Sequence, residues 1–109
     1  MNTTALALAI ALAAGEAAPP AAGVTVHIKN FAYVPAKVTV PAGTVVRFVN
    51  DDGEAHTVTA QDRSFDSTGL DAGSAWTYRF VKPGSFPYYC ELHPYMKGTV
   101  VVVASGTTP

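Results

Sequence analysis

A single cysteine, Cys90, leaves this 109-residue chain unable to form an internal disulfide, so packing, or packing and a bound ion, must hold the fold. Charge is scarce as well. Seven Lys and Arg stand against eight Asp and Glu, a formal charge of −1. No basic surplus exists to neutralise a phosphate backbone, which argues against nucleic acid as a partner. Charged residues are only 14% of the chain and hydrophobic residues 49%, the balance of a core-forming domain and not of a disordered tail. Outside the alanine-rich start, no window keeps a helical period. Nor does any apolar run approach the about 20 residues that cross a bilayer. The length admits one ordinary domain at most.

The apolar run that does occur, Ala5 to Ala14, suits the hydrophobic region of a secretory leader. Ala11-Leu12-Ala13 and Ala17-Ala18 offer small residues for cleavage, and Pro19-Pro20 follow. No Lys or Arg precedes the run, only Met1-Asn2-Thr3-Thr4, so the usual basic start is missing. A leader that stays attached is the alternative. No cysteine stands near the cleavage region to carry a lipid anchor. The expected organisation is a leader and linker over 1–22, one domain over 23–104 and a tail over 105–109. Export would place the protein in the periplasm or outside the cell, with no membrane span in the mature form.

From Val24 onward the apolar period is two, the mark of half-buried strands. Val24, Val26 and Ile28 alternate with Thr25, His27 and Lys29. Thr39-Val40 runs into the turn Pro41-Ala42-Gly43, and Val46, Phe48 and Asn50 share a face of the next strand. Asp51-Asp52-Gly53 reads as a turn. Beyond it, His56 and Val58 should share one face and Thr57 and Thr59 the other. In the polar stretch from Ala60 to Gly73, Phe65 and Leu70 are the expected inward anchors. Trp76, Tyr78 and Phe80 form another alternation, and Phe86, Tyr88 and Cys90 another after Pro83-Gly84. Pro87 cannot donate to a ladder, so it should lie at an edge or a bulge. Val100 and Val102 should face inward on a last strand opened by Gly98. Six to eight short strands at regular spacing predict an all-β, Greek-key antiparallel sandwich.

Chemistry concentrates in Cys90-Glu91-Leu92-His93-Pro94-Tyr95-Met96, a C-x2-H-x2-M spacing within one inter-strand loop. His56 lies upstream at a strand end that a sandwich can bring alongside. One thiolate, two imidazoles and one thioether match a trigonal His2Cys copper site with a weak axial Met. Zinc would more often recruit a second Cys or a carboxylate in place of the Met. His27 alternates outward and reads as a solvated side chain, and Tyr89 should point away from the Cys90 face. Asp51, Asp52 and Glu54 read equally well as a solvated turn or as a docking surface for a partner.

With these residues in view, the sequence resembles the cupredoxins, the blue-copper proteins of the plastocyanin and azurin family, and most of all their amicyanin branch. The resemblance rests on Cys90, His93 and Met96 at the spacing of that branch's short ligand loop. It extends to Pro41-x-Gly43-x-Val45-x-x-Phe48-x-Asn50-x-Asp52 leading to His56, to Phe65-Asp66-Ser67, and to Pro83-Gly84-x-Phe86-x-Tyr88-x-Cys90. It implies one type 1 copper ion, with His56 as buried imidazole ligand, Cys90 as thiolate, His93 as exposed imidazole and Met96 as long axial ligand. In the family an Asn commonly follows the first His and ties the ligand loops together. Here Thr57 takes that place, with a hydroxyl and an amide able to make similar bonds.

Three functions compete on this set. A one-electron carrier needs a stiff site and an apolar docking patch, which Leu92, His93, Pro94 and Tyr95 could supply to redox donor and acceptor proteins. A copper delivery or storage module would more often use several Met or Cys ligands, and only Met1 and Met96 exist here. A hydrolase using Cys90 with a histidine needs a shaped cleft and an orienting Asn or Asp, for which so short a domain leaves little room. The reading is a monomeric electron carrier and not an enzyme.

Overall fold

The computed structural model describes residues 23–106, so the leader assigned to 1–22 and the last three residues of the tail lie outside the described residues. The alternation at the start of the domain becomes β1 (Val24–Ile28), which a tight loop joins to β2 (Tyr33–Val34). The others are β3 (Lys37–Pro41), β4 (Thr44–Asn50), β5 (Thr59–Ala60), β6 (Ala75–Phe80), β7 (Gly84–Tyr89) and β8 (Lys97–Val103). They form two four-stranded sheets, ordered β2-β1-β4-β6 and β3-β8-β7-β5. One face of each strand is buried between the sheets: Val26 and Ile28, Val46 and Phe48, Tyr88, Val100 and Val102. Each such enclosed side chain contributes on the order of 1.5–3 kcal/mol of transfer free energy. Phe65 and Leu70 are buried, as the polar stretch around them required.

Both sheets are mixed, where the sequence predicted antiparallel pairing throughout. β1 lies parallel to β4, with Val26 beside Phe48, and β3 lies parallel to β8, with Val40 beside Val102. Parallel neighbours need a long crossover. Here the chain supplies it by leaving the first sheet for β3 and returning as β4. Period two reports which face a residue takes and says nothing of the direction of the neighbouring strand.

A second difference bears on the site. Thr57 and Thr59 do not face solvent: all residues from His56 to Ala60 are buried. The segment is covered on one side by the 61–73 loop, through bridges from His56 to Leu70 and from Thr59 to Asp66. The Cys90 loop covers the other. Pro87 sits where its lack of a donor is harmless. Its carbonyl accepts from the Gln61 amide at 3.0 Å, just beyond the end of β5, so the missing N–H would have met no strand.

Candidate metal centre

The loop from β7 to β8 closes on itself through three backbone bonds. The His93 amide donates to Cys90 O at 3.2 Å, the Met96 amide to His93 O at 2.9 Å, and the Cys90 amide to Met96 O at 3.2 Å. Two successive turns thus gather the side chains of Cys90, His93 and Met96 at one end of the sandwich. His56 arrives from the segment between β4 and β5. His56 and Cys90 are fully buried, Met96 nearly so, and the His93 side chain is 24% exposed.

The Cys90 Sγ lies 3.8 Å from His56 Nδ1 and 3.7 Å from His93 Nδ1, and one ligand atom from each of the three falls within 4.8 Å of the others. Metal bonds of about 2.0 Å to nitrogen and about 2.3 Å to sulfur put the two donors roughly 3.7 Å apart at a trigonal angle, and roughly 3.5 Å apart at a tetrahedral one. Both sulfur–nitrogen spacings therefore match a trigonal angle at a shared ion, and Met96 adds a thioether from the same loop. His27 is half exposed and pairs with Asp51 at 2.6 Å, outside this set.

Thr57 makes both bonds that its place after His56 required. Its amide donates to Cys90 Sγ at 3.3 Å, and its hydroxyl oxygen accepts from the Glu91 amide at 2.8 Å. That hydroxyl also pairs with Thr59 Oγ1 at 2.9 Å. A donor on the sulfur stabilises thiolate charge and is a lever on the potential of a copper–thiolate site. The Thr57 carbonyl accepts from the Tyr33 phenol. Burial pushes that phenol far above its ordinary range, and the neighbouring Cys90 and Tyr88 add to the shift.

Sequence reasoning left Asp52 undecided between solvent and partner, and the structure gives it another task. Its Oδ2 lies 2.9 Å from His56 Nε2. Partial burial pushes this carboxyl up, but bonds from the Phe31 amide, the Asn30 amide and the His56 ring outweigh it and hold the group below the ordinary carboxylate range. An ionised carboxylate only accepts, so Nε2 carries the proton and the Nδ1 lone pair is left facing Cys90. Asn50, which the alternation placed on the core face with Val46 and Phe48, is a polar latch there. Its Nδ2 donates to Glu54 O at 2.8 Å and Leu70 O at 2.9 Å, and its Oδ1 accepts from the Asp52 amide at 2.9 Å. Of the other acids, Glu54 stands 4.0 Å from His93 Nε2 and Glu91 pairs with Arg63 at 2.8 Å. Phe31, unread in the sequence, lies edge-on to both imidazoles.

The chain is similar to known proteins. The cupredoxin-like domain family matches residues 2–102. Amicyanin from Paracoccus versutus is 32% identical over 88 residues, 76% of this chain and 67% of its own. Amicyanin-alpha from Methylorubrum extorquens strain AM1 is 30% identical over 105 residues, 92% of this chain and 87% of its own. Among solved structures, a Cu-containing nitrite reductase from Thermus scotoductus superposes with a TM-score of 0.71 at 32% identity over 80% of this chain. This chain spans only 23% of that enzyme. A two-sheet sandwich matched over most of its length by the family model, with amicyanins among its relatives, this chain is a member of the cupredoxin-like family.

Proposed function

We propose that the protein is a blue-copper electron carrier that cycles one copper ion between Cu(II) and Cu(I), with His56, Cys90, His93 and Met96 as its ligands. The observation that carries this is the Cys90 sulfur set 3.8 and 3.7 Å from the Nδ1 atoms of two imidazoles, with the Thr57 amide on that sulfur. Copper supplies a one-electron couple whose two states share soft and borderline donors. The chain supplies stiffness: bonds from Thr57, Asp52 and the self-closed loop keep the donors in place whatever the charge of the ion. Cys90 is fully buried, which fits a metal ligand better than a nucleophile that must meet a substrate, so a carrier is favoured over an enzyme. One rigid site with a single buried Met likewise fits delivery or storage less well.

Partners would meet the His93 edge. Leu92 and Tyr95 beside it are 56% and 69% exposed, a large apolar display for so small a domain and the kind that brief redox encounters use. An exported, periplasmic carrier accords with the Ala5–Ala14 run and with the amicyanin relatives.

Titration of the metal-free protein with Cu(II) tests the reading. One equivalent should bind and give an intense visible thiolate-to-copper band. Cys90→Ser should remove that colour while the sandwich still folds, because a hydroxyl cannot replace the soft thiolate. A complex showing only weak ligand-field bands would overturn the assignment.

A further inference from the structure

The β1–β2 hairpin closes through two residues, Asn30 and Phe31. Lys29 and Ala32 exchange amide-to-carbonyl bonds at 2.8 and 3.1 Å across it. Both central residues have positive φ, 54° and 57°, as a type I′ turn requires. Asn tolerates the first position, but the second is where glycine is at home and a bulky side chain is strained. This chain keeps a phenylalanine there.

The strain is held by contacts that lead to the candidate metal centre. Asp52 Oδ1 accepts from the Asn30 amide at 2.7 Å, and Oδ2 accepts from the Phe31 amide at 2.9 Å. The same Oδ2 takes His56 Nε2. The Phe31 ring stands 5.0 Å from His56 at 88° and 5.0 Å from His93 at 86°, and the two imidazoles are themselves 5.0 Å apart. Three rings thus form an equal-sided triangle, and edge-to-face contact is the favoured arrangement of each Phe–His pair. His56 has the Asp52 carboxylate to orient it. Among the described residues, the His93 ring has no side-chain hydrogen bond beyond its approach to Cys90 Sγ, and Glu54 is 4.0 Å away. Besides His56, Phe31 at 5.0 Å is a closer ring to His93 than Tyr95 at 6.2 Å, and it alone of the two also touches His56.

We infer that Phe31 is a positioning residue for the metal centre, a brace on a strained hairpin tip that fixes the His93 imidazole relative to His56. A backbone outlier that costs energy and touches both imidazoles points to a function for the residue that occupies it. The inference rests on the ligand assignment proposed above.

Phe31→Gly tests it, because glycine relaxes the turn while removing the ring. Metal-free Phe31→Gly should unfold at a denaturant midpoint close to that of the parent, the relaxed backbone offsetting the lost packing. In that same metal-free protein, NMR couplings should show His93 averaging over more than one χ1 rotamer where the parent holds one. Cu(I) affinity, read by competition with a chelator, should fall roughly 10- to 100-fold, the effect of losing a group that orients a ligand. Phe31→Leu, which restores bulk at the tip, should recover a large part of both effects. A single His93 rotamer and unchanged Cu(I) affinity in Phe31→Gly would overturn the brace. So would an affinity loss matched by a drop in stability with His93 still fixed, since Phe31 would then be only structural. A parent that binds no Cu(I) at all would overturn the ligand assignment instead, and the rotamer measurement in the metal-free protein would still decide the brace.

Discussion

Cys90 and His56 are oriented by groups that need bind no metal themselves. Thr57 holds the sulfur from its amide and the Cys90 loop from its hydroxyl, while Asp52 fixes which nitrogen of His56 is free. The Thr57 role was legible only through the family resemblance, in which an Asn commonly holds the place after the first His. The Asp52 role was not legible, since a carboxylate in a turn has the same sequence signature whether it faces water or an imidazole. Asp52→Asn should therefore cost about 1–3 kcal/mol at neutral pH, the range for unpairing partly buried partners. The sign of its pH dependence follows from the depressed pKa. A carboxyl that titrates lower in the folded protein stabilises it above the ordinary carboxylate value of about 4, and that stabilisation fades as pH falls through the folded value. Thermal unfolding of metal-free parent and variant should accordingly converge below about pH 4. A gap that stays constant would mean that the carboxylate charge is not what Asp52 contributes. Met96, also legible from its spacing, makes a second prediction at this scale. Met96→Leu is a near volume-conserving change in a buried place and should cost under about 1.5 kcal/mol. It should raise the reduction potential, because losing a weak donor disfavours Cu(II) more than Cu(I), and Met96→Gln should lower it through a harder oxygen. Voltammetry that finds neither shift would make Met96 a core residue only.

Among the elements, β7 and β8 carry three of the four proposed ligands in the loop between them, and one cross-strand pair in their ladder is packed especially tightly. Tyr88 faces Gly98, and its ring lies so close over the glycine that a Cβ at position 98 would collide with it. The Tyr88 hydroxyl is the one buried side-chain polar atom among the described residues without a partner. Its ring is packed edge-on against Tyr33 at 4.7 Å and Phe48 at 5.5 Å. Gly98→Ala should therefore cost about 1–3 kcal/mol, the usual penalty for overfilling a packed core. Most of that cost should vanish in a Tyr88→Leu background, because the collision needs both partners. Urea unfolding of the four proteins in this cycle measures the coupling, and additive costs would remove Tyr88 from the account. The strands were legible at this scale because each buries one face, so Val24 to Ile28 and Thr44 to Asn50 follow from alternation alone. The parallel pairings of β1 with β4 and β3 with β8 were not, because they depend on which sheet the chain visits in between. The burial of Thr57 and Thr59 was also hidden, since the 61–73 loop that covers them has too few apolar residues to announce a lid.

At the scale of the molecule, the sandwich gathers the proposed ligands at one end. Three of the four proposed ligands are buried there, and the fourth, His93, reaches the surface between Leu92 and Tyr95. An electron would leave or enter by the shortest path at that edge, while the sheets around the core, from Val26 to Val102, insulate every other direction. The net charge of −1 provides little long-range steering, so the encounter should depend on apolar contact at the patch. Tyr95→Lys places a charge in its most exposed aromatic position without touching a ligand. If the patch is the port, transfer to the physiological partner should lose about 1–2 kcal/mol of encounter free energy, roughly a 5- to 30-fold fall in rate. The visible band and the reduction potential should stay as they were. Thr77→Lys, exposed on β6 in the opposite sheet from the ligand loop, adds the same charge away from the patch and should leave the rate within a factor of about two, as surface substitutions usually do. Stopped-flow rates for the two variants decide between them. Equal slowing by both would show that overall charge governs the encounter and that the surface around His93 holds no special place in it.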